Sequence, residues 1–244
     1  MNPILSRRAW LQVAGAGAGA ALAACGSSHR SISVTVPKRL VVVTETPKPS
    51  ITDPDVALKQ LKQGNQRFVD ALMRHPDQDP QYRLRLAQYQ DPFAVILTCS
   101  DSRLSPELVF DQGLGDLFVV RVAGNIVDAA ILGSIEYAVV HLETPLVAVM
   151  GHENCGAVTA TLDSLQHHTE PHGGVAALVN AITPAVAVAE QRPGDLLENT
   201  IRANTAQSRD AIVKSPELKE MLDSGSLKVV NAYYSLDAGT ATLI

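Results

Sequence analysis

Two short stretches of this chain hold residue types that can grip a soft metal ion. Cys99-Ser100-Asp101-Ser102-Arg103 offers a thiol, a carboxylate and a guanidinium, and Gly151-His152-Glu153-Asn154-Cys155-Gly156 offers an imidazole and a second thiol. Two thiolates, one imidazole and one carboxylate can complete a tetrahedral zinc site. Soft sulfur with imidazole nitrogen selects zinc over magnesium, calcium or manganese. Spacing alone leaves three readings of Cys99 and Cys155 open: an open catalytic site, a closed structural zinc site, or a disulfide. The disulfide stays in play because an exported protein meets an oxidising compartment.

Both stretches must be placed by the element that precedes them. Phe93 to Thr98 and Leu146 to Met150 are short, continuous apolar runs, which read as strands buried on both faces. In an open parallel sheet, chemistry collects just beyond the carboxyl ends of the strands, which is where each stretch falls. Leu117 to Val122 reads as a third such strand, Leu227 to Tyr234 as a fourth, and Thr240 to Ile244 as an edge strand returning across the Leu236–Gly239 turn. Between them lie helical patterns. Thr52 or Asp53 is placed to cap a helix with Pro54 at its first position, and a second helix spans roughly 81–90. Pro106 to Phe110 suits a short helix, and Asp128 caps another running to about Leu142. Cys155 to Leu165 opens with its amino terminus towards the metal, where the helix dipole favours a thiolate. Further helices fill 174–190, 195–213 and 216–223, with Pro184, Pro193 and Pro216 as breaks. Strands alternating with helices imply an α/β fold with a mostly parallel sheet, four strands plus an antiparallel edge strand, flanked by helices.

The chain has 244 residues, 46% hydrophobic and 18% charged, enough for one α/β domain with its own core. A net charge of -5 with no basic block argues against nucleic acid as a partner. At 4% aromatic, the chain also lacks stacking platforms for single strands. Three cysteines are too few for a disulfide scaffold.

Residues 1–25 read as a targeting segment rather than part of the fold. Ser6-Arg7-Arg8-Ala9-Trp10-Leu11 looks like a twin-arginine export signal, followed by a mildly apolar Ala/Gly-rich stretch too short for a stable span. Leu22-Ala23-Ala24-Cys25-Gly26 resembles a bacterial lipobox, which makes Cys25 the lipidated first residue of the mature protein and the only link to a membrane. The alternative is ordinary cleavage with Cys25 incidental. Residues 26–50, polar and Pro-containing around Leu40-Val41-Val42-Val43, read as a flexible tether, the alternative for the valine run being an added edge strand. The domain then spans 51–244, on the periplasmic face.

The letters around the two thiols resemble the β-class carbonic anhydrases. Cys-Ser-Asp-Ser-Arg at 99–103 and His-x-x-Cys-Gly at 152–156 match that family's zinc motifs. Gly115 to Asn125 matches its central strand, Ser134 to Val139 the following helix, and Gly64-Asn65-Gln66-Arg67-Phe68 its N-terminal segment. The resemblance implies zinc, one per chain, on Cys99, His152 and Cys155, with Asp101 either the fourth ligand or held off the metal by Arg103. It implies hydration of carbon dioxide to bicarbonate and a proton by zinc-bound hydroxide, with Asp101 and Arg103 catalytic. It also implies substrate contacts from Gln90, Phe118, Tyr137 and Gly156, partly across the interface of a homodimer or dimer of dimers. The only tryptophan, Trp10, lies in the export signal, so no accessory bicarbonate site is expected. Two rivals remain: a carbon disulfide or carbonyl sulfide hydrolase on the same scaffold, and a non-catalytic zinc-binding lipoprotein. Arg121 and Asn125 are expected to support the backbone under the site, and His167, His168 and His172 to lie in a solvated loop.

Overall fold

A computed structural model describes residues 49–244. The export signal, the lipobox cysteine Cys25 and the valine run therefore lie outside the described residues. Five strands form one sheet: β1 (Ala94–Thr98), β2 (Leu117–Arg121), β3 (Leu146–His152), β4 (Lys228–Tyr234) and β5 (Ala241–Leu243). Their order is β2-β1-β3-β4-β5, with the first four parallel and β5 antiparallel to β4. This is the expected α/β architecture of four parallel strands and one antiparallel edge strand.

The helices are α1 (Pro54–Val69), α2 (Pro80–Leu86), α3 (Pro106–Val109), α4 (Ala129–His141), α5 (Gly156–Gln166), α6 (Val175–Ala189), α7 (Leu196–Val213) and α8 (Lys219–Ser224). Asp53, not Thr52, caps α1, with Oδ1 accepting from the amides of Asp55 and Val56 at 2.7 and 3.2 Å. Such a cap is worth about 1 kcal/mol. Helix α2 ends earlier than expected, at Leu86, so Gln90 lies in irregular chain leading into β1. Pro184 does not break α6; the helix runs through it. Proline inside a helix costs about 3 kcal/mol, but Val179, Ile182, Ala185, Val186 and Ala189 all bury on that helix, and the loss of that apolar burial would be larger. Among the described residues no helix is long and apolar enough to cross a membrane.

Strand alternation divides the core in two. Ile96, Ala148, Met150 and Tyr234 point to one face, where they meet Leu61 of α1, Val158 of α5, Ile182 of α6 and Ile201 of α7. Val95, Leu97, Val147 and Val149 point to the other, against Ile135, Ala138 and Val139 of α4 and Ile212 of α7. This is the period-2 rule of a strand buried on both sides. Cys99 and Cys155 belong to the first face. Gly151 is required there by close approach: a Cβ would stand 2.3 Å from the Thr205 hydroxyl on α7.

Candidate metal centre

Cys99 is the first residue past β1, and His152 is the last residue of β3. Because β1 and β3 are parallel neighbours in register, with Thr98 opposite Met150, their ends deliver both side chains to the same edge of the sheet. Cys155 arrives three residues later as the N-cap of α5. The ligand atoms of Cys99, His152 and Cys155 lie within 4.8 Å of one another, and all three residues are buried. Both cysteines are free thiols, so the disulfide reading is not what the fold builds.

The donor set fits a tetrahedral zinc ion. Zn–S bonds of about 2.3 Å and Zn–N bonds of about 2.0 Å need ligand atoms roughly 3.5–3.8 Å apart. His152 Nδ1–H donates to the Glu153 carbonyl at 2.8 Å, leaving Nε2 buried with no hydrogen-bond partner. A fully buried ring nitrogen without a partner is costly unless a cation takes its lone pair.

The thiols divide one proton between them. The hydrogen bond from Cys155, together with the Gly124 N–H 3.3 Å from Sγ, outweighs burial and brings the Cys99 thiol down to about 4. Cys155 is pushed up, first by that same bond to Cys99, then by burial and by the neighbouring thiolate charge. Two adjacent buried thiolates repel, and a divalent cation is what lets both ionise.

Asp101 stands at the open side, with Oδ2 4.0 Å from His152 Nε2. Its carboxylate is gripped by Arg103 in a fork: Nε to Oδ1 at 2.9 Å and an Nη to Oδ2 at 2.7 Å, with the Arg103 backbone N–H also on Oδ1 at 2.9 Å. That pairing holds the Asp101 carboxyl well below the usual carboxylate range and raises Arg103. Arg103 also reaches the Asn154 carbonyl at 3.3 Å. Arg121, at the end of β2, donates to the carbonyls of Cys99 and Asp101 at 3.1 and 2.6 Å. This is the backbone support expected of it.

Of the four remaining expected residues, one lies beside the cysteines and three do not. Gly156 opens α5 beside Cys155 with open space where a Cβ would be. Gln90 is exposed and precedes β1, whereas Cys99 follows it; a five-residue strand puts about 16 Å between its ends. Phe118 pairs with Val95 in the lower half of the sheet and packs on the α4 face, 6.3 Å from the Tyr137 ring. A single chain therefore does not bring Gln90, Phe118 and Tyr137 to its own cysteines.

A family model described as carbonic anhydrase matches residues 94–241, more than half the chain. Carbonic anhydrase 2 of Mycobacterium tuberculosis is 44% identical over 194 residues, covering 79% of this chain and 93% of that one. Among solved structures, a Coccomyxa β-carbonic anhydrase in complex with acetazolamide superposes with a TM-score of 0.61 at 25% identity, covering 77% of this chain and 86% of its own. A tetrameric β-carbonic anhydrase from Sordaria macrospora gives 0.60 at 22% identity over 68% and 87%.

The chain belongs to the β-class carbonic anhydrases. Within that family's motifs, sequence reasoning missed three supports of this carbonic anhydrase's centre. The Gly124 amide donates to Cys99, and Gly124 is held at φ +71° where a Cβ would meet Ile182 at 2.8 Å. Asn204 and Ser208 of α7 donate to the carbonyls of Gly124 and Asn125 at 2.7 and 2.8 Å, fixing the turn from above. Buried Thr200, Asn204 and Ser208 at four-residue spacing were a polar stripe on an otherwise packed helix, the one signal available beforehand. Glu153 is the third.

Proposed function

We propose that this chain hydrates carbon dioxide reversibly to bicarbonate and a proton, using one zinc ion per chain held by Cys99, His152 and Cys155. The observation that carries this reading is the convergence of those three ligand atoms with an Arg-clamped carboxylate beside them. Zinc, when bound, supplies the Lewis acidity that brings a coordinated water's pKa to about 7. Arg103 engages both oxygens of Asp101, a pairing that would compete with any bond from that carboxylate to the metal. Asp101 stays ionised at any pH where the enzyme works, so it accepts a proton-donating contact from solvent and orients it. The α5 amino terminus at Gly156 presents N–H groups to the developing bicarbonate charge.

Carbon dioxide has no charge to grip and calls for an apolar cleft. Phe118 and Tyr137, with Gln90 as a polar donor, are assigned to that cleft from a second copy of the chain. The functional unit is thus a homodimer or a dimer of dimers; the Sordaria relative is described as tetrameric. The twin-arginine-like segment and Cys25 further assign the enzyme to the periplasmic face, tethered by a lipid. Cys25→Ser is expected to release it from membranes.

Stopped-flow hydration assays with parallel metal analysis test the main reading. Activity that disappears on chelation and returns with one zinc per chain supports it. One bound zinc with no hydration supports instead a non-catalytic zinc protein.

A further inference from the structure

We propose that Glu153 is a positioning residue for the metal centre, and that its carboxylate sets the orientation of His152. The inference rests on the zinc reading above. The His152 ring is fully buried, and its hydrogen bond runs from Nδ1 to the Glu153 carbonyl at 2.8 Å. A carbonyl only accepts, so the proton sits on Nδ1 and the Nε2 lone pair is the metal donor. Where that ring points therefore depends on where one carbonyl is held.

Two anchors hold it, and both come from the carboxyl end of the chain. His152 is the last rung of β3, opposite Tyr234, and the Glu153 N–H extends the ladder to the Tyr234 carbonyl at 2.9 Å. The Glu153 carboxylate then turns onto the β4–β5 turn, where Oε2 accepts from the Leu236 N–H at 2.9 Å and lies 3.1 Å from the Ser235 hydroxyl. That hydroxyl has one proton and stands 2.5 Å from Asp237 Oδ1, so the Leu236 amide is the firmer contact. Glu153 lies between two ligands, His152 and Cys155. The intervening Asn154 is held at φ +52° and gives its carbonyl to Arg103 at 3.3 Å. Asparagine enters that left-handed region more readily than other non-glycine residues, which suits it to the tight turn between the two ligands. The carboxylate thus braces the loop that carries His152, Cys155 and the perch of Arg103.

Zinc affinity by chelator competition, and the visible spectrum of the cobalt-substituted protein, test this independently of turnover. Glu153→Ala is expected to weaken zinc binding about tenfold, the usual size of an outer-shell loss, and to shift the thiolate-to-cobalt bands. Glu153→Gln keeps an acceptor for the Leu236 amide and should bind zinc closer to wild type than to the Ala variant. Ser235→Ala should change little. Glu153→Asp, which withdraws the carboxylate by one methylene, should also weaken binding and serves if the Ala variant does not fold. A merely structural role would lower the melting temperature while leaving affinity and spectrum unchanged, and that result overturns the proposal. Equal weakening in Gln and Ala variants overturns it as well. Wild-type protein that takes up no zinc would instead remove the zinc reading itself.

Discussion

At the carboxyl ends of β1 and β3, Cys99, His152 and Cys155 are 5%, 0% and 1% exposed and lie within 4.8 Å of one another. Near the amino ends of the same strands the residues assigned to substrate are open: Gln90 is exposed and Tyr137 is 46% exposed. The two regions differ in what completes them. The metal end is finished within one chain because parallel register forces the strand ends together. The amino end presents the Phe118 and Tyr137 rings, 6.3 Å apart, away from the cysteines among the described residues.

The largest effects should fall at the metal end. Cys99→Ser or His152→Ala is expected to lose zinc and at least about 10³-fold in kcat/KM, since the metal supplies several kcal/mol of transition-state stabilisation. Metal analysis showing full zinc in either variant would break the assignment. Asp101→Asn should cost roughly 10²–10³ in kcat, in the range for a removed proton-handling group, while zinc stays at its wild-type content. Loss of zinc with Asp101→Asn would make Asp101 a required ligand rather than an orienting group.

A pH prediction sharpens the same end. In metal-free protein the Cys99 thiol is expected to ionise well below its ordinary 9.0, because Cys155 donates to it. Thiolate absorbance should therefore appear as pH rises through about 4, and Cys155→Ala should move that step upward. The sign for stability follows: a depressed acid contributes fully above the unfolded value near 9 and loses that contribution as pH falls to about 4. Metal-free protein melting at the same temperature across that window would contradict the bond between the thiols.

At the amino end the effects should be smaller and shared between copies. Gln90→Ala should raise KM by roughly three- to tenfold, the size of one lost hydrogen bond. If Gln90 serves a partner's site, mixing a Gln90→Ala chain with a Cys99→Ser chain should leave each mixed dimer with one complete centre. Activity no higher than the average of the two separate variants would show that the two ends do not meet across an interface.

Much of the fold was legible because its signals are local. The apolar runs at 93–98, 117–122, 146–150 and 227–234 each became a strand, and Asp53-Pro54 and Asp128 started helices as their chemistry demands. Pro184 misled because a local penalty was outweighed by burial that only the assembled α6–α7 face provides. Helix α2 was drawn too long because its end at Leu86 depends on where the chain must turn into β1. At the site, the ligand types stood in the letters. The Gly124 amide, the Asn204 and Ser208 clamp and the Glu153 brace did not, since each is a contact between segments far apart in sequence.

By itself, then, the order of residues determined which atoms are available to a metal and which strand end each one follows. Residue identity and the two-residue period of a buried strand are properties a short segment carries with it. Only the tertiary structure decided that Cys99 and Cys155 stay free, that Asp101 is gripped by Arg103 at both oxygens, and that the His152 Nδ1 is taken by the Glu153 carbonyl. Those outcomes depend on distances between β1, β3, α7 and the β4–β5 turn, and such distances exist only once the sheet has closed around its core.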